Sequence, residues 1–210
     1  MRVRTIILGL AVTLAPWGGA SGGSAGGDLF NGRDLTGWDG IAALWSVKDG
    51  AIVGTTPPPK GLNFNTFLCT KKSYGDFELQ CQIRLKDGKG NSGIQIRSEV
   101  IDKDKFVVKG PQADVGAGYW GSLYGERFGG MMKEAPRDQV NKVLKKDGFN
   151  DYAIKCVGKH VTIQINGVKT VDEEFDRMPE EGIIAWQLHG GKGMEVTFKD
   201  IKFKDLSKKQ

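Results

Sequence analysis

The sequence is poor in the residues that build metal centres and disulfide scaffolds. Its 210 residues include two histidines and three cysteines, and no Cys–His spacing suggests a zinc site. Because the number of cysteines is odd, at least one thiol lies outside any intramolecular disulfide. Cys81 and Cys156 are both in phase with apolar neighbours, so the pattern leaves two alternatives, a disulfide between adjacent strands or buried free thiols.

The chain also lacks a basic stripe of the kind that nucleic acid requires. The formal net charge is +5, but Arg2, Arg4, Lys208 and Lys209 at the two ends supply much of that excess. Elsewhere the charges are mixed in sign and are not interleaved with aromatic residues. The composition therefore argues against a nucleic-acid partner, and the excess charge is typical of simple solubility.

The longest apolar run in the chain covers residues 6–15, behind two arginines and before a group of small residues. This arrangement predicts a secretory signal peptide over residues 1–20, with an N-terminal membrane anchor as the alternative. The run is too short to span a bilayer comfortably, so we expect no membrane-spanning segment in the mature chain. We expect an exported protein, periplasmic or extracellular, with a Gly/Ser linker over 21–27, a folded domain over 28–206 and a basic tail over 207–210.

What remains is a series of short alternating segments separated by turns. Residues 77–85 alternate most cleanly between apolar and polar side chains, and Asp49-Gly50 predicts a tight hairpin turn. The alternation slips by one residue near 199–200, which predicts a β-bulge. Only residues 138–146 have helical spacing, with Asp138 as a plausible N-cap. Ten or more strands with one short helix predict an all-β, two-sheet sandwich.

The stretch from residue 90 to 130 holds an unusual concentration of polar and ionisable side chains. Ile94 and Ile96 alternate with Gln95, Arg97 and Glu99. The next strand repeats the scheme, with Ala113 and Val115 against Gln112 and Asp114. Because alternation of period two separates a buried face from a free face, we expect these polar groups to share a free sheet face. Amides and aromatics on such a face are typical of a sugar-binding site.

Six segments carry a resemblance to a known family: LFNGRDLTGW at 29–38, YGDFELQCQIRL at 74–85, GNSGIQIRS at 90–98, QADVGAGYWGSLYGE at 112–126, NGV at 166–168 and GIIAWQLHGG at 182–191. In this order they resemble the 3-keto-disaccharide hydrolase family over about residues 28–206. The resemblance implies a concanavalin A-like jelly-roll sandwich. It also implies a hydrolase or lyase that cleaves glycosides already oxidised to a ketone at C3.

Such a substrate needs particular catalytic groups, because the ketone makes the neighbouring C2 proton acidic. A base removes this proton, the glycosidic oxygen leaves C1 with the help of an acid, and water adds afterwards. The candidate catalytic residues are Glu126, Asp114, His189 and, as a cation for the enediolate oxygen, Arg97. The candidate substrate-binding residues are Gln95, Gln112, Trp120, Tyr124 and Gln187, and Trp186 is expected in the core.

Several alternatives stay open at this stage. Asp114, Glu126 and His189 could equally hold a divalent cation that polarises the ketone, and the sequence identifies no other cofactor. Each ionisable residue also has a structural alternative: Arg97 pairs with Glu99, Asp114 belongs to a turn, Glu126 forms a surface ion pair, or His189 caps the backbone. The alternative function is a non-catalytic, lectin-like carbohydrate-binding module of the cell envelope, since one fold hosts many functions.

Overall fold

The computed structural model describes residues 29–207. The predicted signal peptide and linker lie outside the described residues, as does the end of the basic tail. The first strands in chain order are β1 (Trp38–Asp39), β2 (Trp45–Lys48), β3 (Ala51–Thr55), β4 (Thr66–Tyr74), β5 (Phe77–Leu85), β6 (Asn91–Asp102) and β7 (Val107–Gly116). They are followed by β8 (Leu123–Glu126), β9 (Gly130–Lys133), the helix α1 (Arg137–Val143), β10 (Asn150–Val157), β11 (His160–Ile165), β12 (Val168–Glu174), β13 (Gly182–Leu188) and β14 (Glu195–Asp205).

These strands form two antiparallel sheets of seven strands each. We call the first the front sheet, with the order β1-β4-β13-β6-β7-β8-β9, and the second the back sheet, with the order β12-β11-β10-β5-β14-β3-β2. Strand β13 pairs with both β4 and β6, so a late segment of the chain completes the centre of the front sheet. The predicted all-β, two-sheet sandwich with one short helix is therefore confirmed for residues 29–207.

The core lies between the sheets and follows the alternation of the sequence. In β5, all five apolar side chains are buried and the four polar ones between them are half-buried. Trp186 on β13 has no exposed surface and its ring stacks between Trp38, at 5.4 Å, and Phe198, at 4.8 Å. Large aromatic side chains in such offset stacks supply much of a core's stability. The prediction of a core position for Trp186 is confirmed.

The local turn and bulge predictions are confirmed, and the helix start is corrected. Asp49 and Gly50 both have positive φ, 51° and 73°, and join β2 to β3, as the favoured two-residue hairpin turn requires. The register of β14 shifts between Lys199 and Lys202. Pro136 occupies the N-cap position of helix α1, so the N-cap prediction for Asp138 was wrong. Asp138 lies inside the first turn, where its negative charge interacts favourably with the helix dipole.

The outer face of the front sheet is only partly open to solvent. A second apolar cluster of Phe67, Cys69, Val108 and Ala185 is buried there. Phe106, in the turn between β6 and β7, packs against this cluster and its carbonyl oxygen accepts from the Phe67 amide at 3.1 Å. The expectation of a free face therefore holds for only one half of the sheet, because the β6–β7 turn covers one half and leaves the other half as a hollow.

The three cysteines are free and buried. Strands β5 and β10 are neighbours, but Cys81 lies opposite Tyr152 and Cys156 lies opposite Phe77. The two thiols are thus offset by four residues along the strands, too far for a disulfide. Burial raises the pKa of Cys156 to about 12 and that of Cys81 even further, so the alternative of buried free thiols is confirmed.

Candidate functional site

Two rows of side chains cross the open half of the front sheet. In the first row, Gln95 on β6 pairs with Gln112 on β7, which pairs with Tyr124 on β8. In the second row, Gly93 pairs with Asp114. A Cβ atom on Gly93 would lie 2.5 Å from Cδ of Gln112, so the glutamine side chain occupies the space above the glycine. The missing side chain at Gly93 therefore allows Gln112 to reach across to Asp114.

A cavity of about 350 Å³ opens above these rows, within the usual size range of small-molecule sites. It contains two carboxylates, one imidazole and several amides and phenols. The lining residues are Asn65, Asn91, Gln112, Asp114, Tyr119, Tyr124, Glu126, Met131, Gln187 and His189. The structure thus brings together Asp114, Glu126, His189, Gln112, Tyr124 and Gln187 from the sequence-based candidates, while their catalytic and binding roles stay predictions.

Asp114 forms the buried end of the cavity, with 7% of its surface exposed. It lies within β7, so the alternative of a turn residue was wrong. Burial raises the pKa of this carboxyl to about 7, because a charged group loses its hydration there. The nearby negative charge of Glu126 adds to the rise. Asp114 is consequently a group that can hold a proton near neutral pH.

Glu126 lines the same cavity but is less buried than Asp114 and has a different hydrogen-bond partner. It is half-buried at the end of β8, and Nδ2 of Asn65 lies 3.3 Å and 3.4 Å from its two carboxylate oxygens. The side-chain oxygen of Asn65 accepts from the Gly190 amide at 2.8 Å. Asn65 therefore joins Glu126 to the loop that carries His189. Sequence reasoning missed Asn65, because it lies just before β4 and outside any alternating pattern.

His189 lies at the exposed rim of the cavity, immediately after β13. Its Nδ1 contacts the carbonyl oxygen of Gly190, which is part of the capping role that the sequence left open. Gln187, two residues earlier, points the same way and is 1% exposed. Gln187 and His189 are two residues apart and both line the cavity.

Three glutamines form a buried network behind the carboxylates. The side chains of Gln95 and Gln112 hydrogen-bond over 2.9 Å, and Gln112 hydrogen-bonds to Oδ1 of Asp114 over 2.7 Å. Gln187 lies 3.4 Å from the same Gln112 amide. Gln95 has no exposed surface and does not line the cavity. The prediction that Gln95 binds substrate is therefore corrected, because Gln112 stands between it and any ligand.

Arg97 is the clearest correction to the sequence analysis. Its φ is 47°, and the register of β6 shifts between Gln95 and Glu99, so the alternation breaks and the side chain leaves the cavity face. The guanidinium is 1% exposed and pairs with Asp76 at 2.8 Å. It also donates to the backbone carbonyl oxygens of Gly75, Gly158 and Pro179. Arg97 thus joins turns of the sandwich instead of serving the site, and Glu99 pairs with Lys109.

Trp120 is a second correction. It was expected to stack on a sugar, but it is 7% exposed and belongs to the main core. The preceding residue, Tyr119, is 42% exposed and lines the cavity instead. The turn after β7, with Gly118 and Gly121 at positive φ, directs one aromatic inward and its neighbour outward. The signal was an aromatic pair between glycines, which does not specify which member turns inward.

The described part of the chain gives no support for the cation alternative. Within residues 29–207, no three His, Cys, Asp and Glu side chains are arranged so that they could share a metal ion. Asp114, Glu126 and His189 line one cavity without forming such a group. In the same part of the chain, no helix has the length and apolar character needed to cross a membrane.

Solved structures share the fold at low sequence identity. A candidate glycosyl hydrolase from Parabacteroides distasonis is 22% identical with a TM-score of 0.60, covering 85% of this chain and 93% of the other. The carbohydrate-binding module CBM66 from Bacillus subtilis is 16% identical with a TM-score of 0.59, covering 85% and 99%. A galectin-like protein of unknown function from Bacillus subtilis is 10% identical with a TM-score of 0.57, covering 81% and 90%. At these identities the similarity shows the jelly-roll, lectin-like fold alone.

No curated protein matches the chain by sequence. A family model does match, over residues 27–204, and its description is a 3-keto-alpha-glucoside-1,2-lyase-like domain. The matched segment includes every strand, apart from the last residue of β14, and the whole cavity. The resemblance seen in the six sequence segments is thereby confirmed, and it indicates a carbohydrate-related activity. The chain belongs to the family of 3-keto-alpha-glucoside-1,2-lyase-like domains.

Proposed function

We propose that this protein cleaves the glycosidic bond of 3-keto-glycosides by removing the C2 proton and eliminating the C1 substituent. The observation that carries the proposal is the pair of carboxylates in one cavity, Asp114 and Glu126, held under different conditions. Burial raises the pKa of Asp114 to about 7, whereas both oxygens of Glu126 face an amide donor. Two carboxyl groups whose environments differ in this way are typical of an acid and a base in one site.

Glu126 is the base in this proposal. Its carboxylate takes the C2 proton of the sugar, and the electron pair moves into the ketone to give an enediolate. When the C3 carbonyl re-forms, the C1–O bond breaks and a C1–C2 double bond remains. Water then adds at C1 and a proton returns to C2, which yields the free 3-keto sugar. Because the C2 proton of an unoxidised sugar is not acidic, this reaction requires the ketone.

Asp114 and His189 are assigned to the two oxygens that gain negative charge in the reaction, the C3 oxygen and the leaving glycosidic oxygen. Asp114 lies at the buried end of the cavity beside the amides, where a neutral carboxyl can donate to the developing C3 oxyanion. His189 lies at the exposed rim, where the second unit of a disaccharide would extend into solvent, and it donates a proton to the leaving oxygen. This arrangement needs no arginine, consistent with the position of Arg97 outside the cavity.

A non-catalytic carbohydrate-binding role is the second candidate. Amides and phenols dominate the rest of the lining, and groups of this kind hydrogen-bond sugar hydroxyls and pack on sugar rings. The fold is also shared with a carbohydrate-binding module. A pure binding site has no need, however, for a buried carboxyl that holds a proton opposite a second carboxylate. We therefore place the lyase activity first.

The deciding experiment combines product analysis with isotope exchange. Purified protein is incubated in D₂O with 3-keto-trehalose or 3-keto-lactose and, separately, with the unoxidised disaccharides. The proposal expects deuterium at C2 and release of the aglycone from the keto sugars only. Equal cleavage of the unoxidised disaccharides would indicate an ordinary glycosidase. Saturable binding measured by calorimetry, with neither exchange nor cleavage, would establish the binding module instead.

A further inference from the structure

The surroundings of the Gln95 side-chain amide determine which end is the NH₂ group and which end is the carbonyl oxygen. One end lies 3.1 Å from the carbonyl oxygen of Pro111 and 3.3 Å from that of Gly110, with Oγ of Ser98 at 2.6 Å. Backbone carbonyl oxygens only accept hydrogen bonds, so this end must be the NH₂ group. A carbonyl oxygen in the same place would face two other carbonyl oxygens at full burial. The oxygen of Gln95 therefore points the other way, towards Gln112.

The orientation of Gln112 follows from that of Gln95. The oxygen of Gln95 lies 2.9 Å from one end of the Gln112 amide, so that end must be the NH₂ donor. The opposite end of Gln112 is then its carbonyl oxygen, and it lies 2.7 Å from Oδ1 of Asp114. Two oxygen atoms at this distance repel each other unless a proton lies between them. Gln112 has no proton to offer from that end, so the proton belongs to Asp114.

Gln187 is the third amide of this network and can follow the same direction. With the carbonyl oxygen of Gln112 turned towards it, the NH₂ group of Gln187 can donate across the 3.4 Å that separates the two amides. The other end of the Gln187 amide is buried without a hydrogen-bond partner in either orientation. Gln187 is therefore compatible with this direction, and the direction itself is decided by the surroundings of Gln95.

We propose that Gln95 is a positioning residue that fixes the direction of a relay, Gln95–Gln112–Asp114, and that this direction keeps the proton on Asp114 in the ligand-free protein. The anchor is the pair of backbone carbonyl oxygens of Gly110 and Pro111, which cannot change their role. The catalytic consequence rests on the proposed function: a neutral Asp114 arrives at the reaction with a proton that can shift from Gln112 to the C3 oxyanion as charge develops there. Gln95 itself never touches the substrate.

Of the other groups around Asp114, one carboxylate acts in the same sense. Glu126 from β8 shares the cavity and its negative charge opposes ionisation of Asp114. The hydroxyl of Tyr152, from β10 on the core side, donates to the backbone oxygen of Asp114 at 3.0 Å and leaves the carboxyl untouched. Tyr119 and His189 line the open side. Among the cavity-lining residues of the described chain there is no lysine or arginine to stabilise the ionised form.

The test measures the protonation of Asp114 directly in the protein without substrate. Protein labelled with ¹³C at the aspartate carboxyl carbon is titrated by NMR between acid and weakly alkaline pH, and Asp114 is assigned from Asp114→Asn. In Gln95→Met the anchor is lost, so Gln112 can turn its NH₂ group to the carboxylate. We expect the pKa of Asp114 to fall by about one unit or more, a tenfold change in proton affinity.

Two further variants separate the relay from a general packing effect. Gln95→Glu keeps the shape, with a carboxyl proton facing Pro111 and an acceptor facing Gln112, so the high pKa of Asp114 should be retained. Gln82→Met is the matched control: Gln82 also donates to an aspartate, Asp151, at 2.7 Å, but on the back sheet. It should leave the titration of Asp114 unchanged.

The proposal is overturned if Asp114 titrates near pH 4 in the wild-type protein, like an ordinary aspartate. It is also overturned if a folded Gln95→Met variant keeps the wild-type titration. Should Gln95→Met fail to fold, the pKa of Asp114 in the wild-type protein and in Gln95→Glu still tests the proposal, which requires a raised pKa in both. No substrate is used, so the outcome is independent of the proposed reaction: the relay can be right while 3-keto-glycosides are not cleaved, and the reverse can also hold.

Discussion

Replacing Gly93 by alanine tests the geometry of the site most directly. The new Cβ atom would lie 2.5 Å from Cδ, 2.6 Å from Cγ and 2.7 Å from Nε2 of Gln112. Ordinary contact begins at 3.4 Å, so the glutamine must move by roughly 1 Å, more than a close-packed interior absorbs without cost. A shift of this size breaks the 2.7 Å hydrogen bond between Gln112 and Asp114.

The expected loss of stability has two parts. Overpacking of a buried site costs about 1–3 kcal/mol, and the hydrogen bonds of Gln112 add about 1 kcal/mol each. A total of about 3 kcal/mol should lower the melting temperature by roughly 6–12 °C for a chain of this size. We also expect turnover of a 3-keto-glycoside to fall about a hundredfold, because Asp114 loses its neighbour. Scanning calorimetry and an initial-rate assay measure the two effects.

Two companion variants make this prediction specific. Gly148→Ala is the control, because its new Cβ would have one tight contact, with Cβ of Lys145 at 3.1 Å, and otherwise only ordinary contacts from 3.8 Å outwards; its stability should change by about 1 kcal/mol or less. The double variant Gly93→Ala, Gln112→Ala removes the overlapping atoms, so it should recover stability relative to Gly93→Ala without recovering turnover. If Gly93→Ala has the same melting temperature as the wild-type protein, Gln112 does not occupy the space above Gly93 and the site geometry is wrong.

The remaining predictions concern three side chains of the site and one outside it. Glu126→Gln should abolish both deuterium exchange at C2 and cleavage, whereas His189→Ala should lower cleavage about a hundredfold and keep the exchange; equal loss of both in His189→Ala would contradict the assignment. Burial raises the pKa of Asp114 to about 7 from an unfolded value near 3.8, so folding is favoured by its proton at low pH and this stability is lost as pH rises from about 4 towards 7. Urea unfolding at pH 5 and pH 8 should show that Asp114→Asn removes a dependence on the order of 2–4 kcal/mol, and an unchanged dependence would refute the raised pKa. Arg97→Met should cost about 3–5 kcal/mol, because the carbonyl oxygens of Gly75, Gly158 and Pro179 lose their guanidinium donor and Asp76 loses its ion-pair partner. The kcat and KM of the folded fraction should stay at wild-type values, and a selective loss of kcat would restore a catalytic role.

Where structure depends on neighbouring residues, the sequence was sufficient. The alternation of β5 and the Asp49-Gly50 turn both follow from preferences that act over a few residues. The family resemblance went further, since it implied the jelly-roll sandwich that the two sheets show. Gln187 and His189, both named as candidates from the sequence, do line the same cavity.

The site was predicted less well, because its geometry depends on contacts between distant segments. Alternation alone put Gln95 and Arg97 on one free face. The register shift at Arg97 turns that side chain away from the cavity, and Gln95 lies buried behind Gln112. Both events depend on where a loop folds back in three dimensions. Asn65 reaches Glu126 across 61 positions of sequence, and no periodic pattern marks such a residue. The aromatic pair at 119–120 was likewise decided by how the turn after β7 packs against the core.

The three buried thiols have a practical consequence for following this fold in solution. Cys81 and Cys156 belong to the core between the sheets, whereas Cys69 lies in the small cluster on the outer face of the front sheet. A thiol-specific reagent reacts with the thiolate, so each cysteine becomes reactive only when its own layer opens. The rates of labelling, resolved site by site, would therefore report whether the cluster beneath the β6–β7 turn opens before the sandwich itself separates.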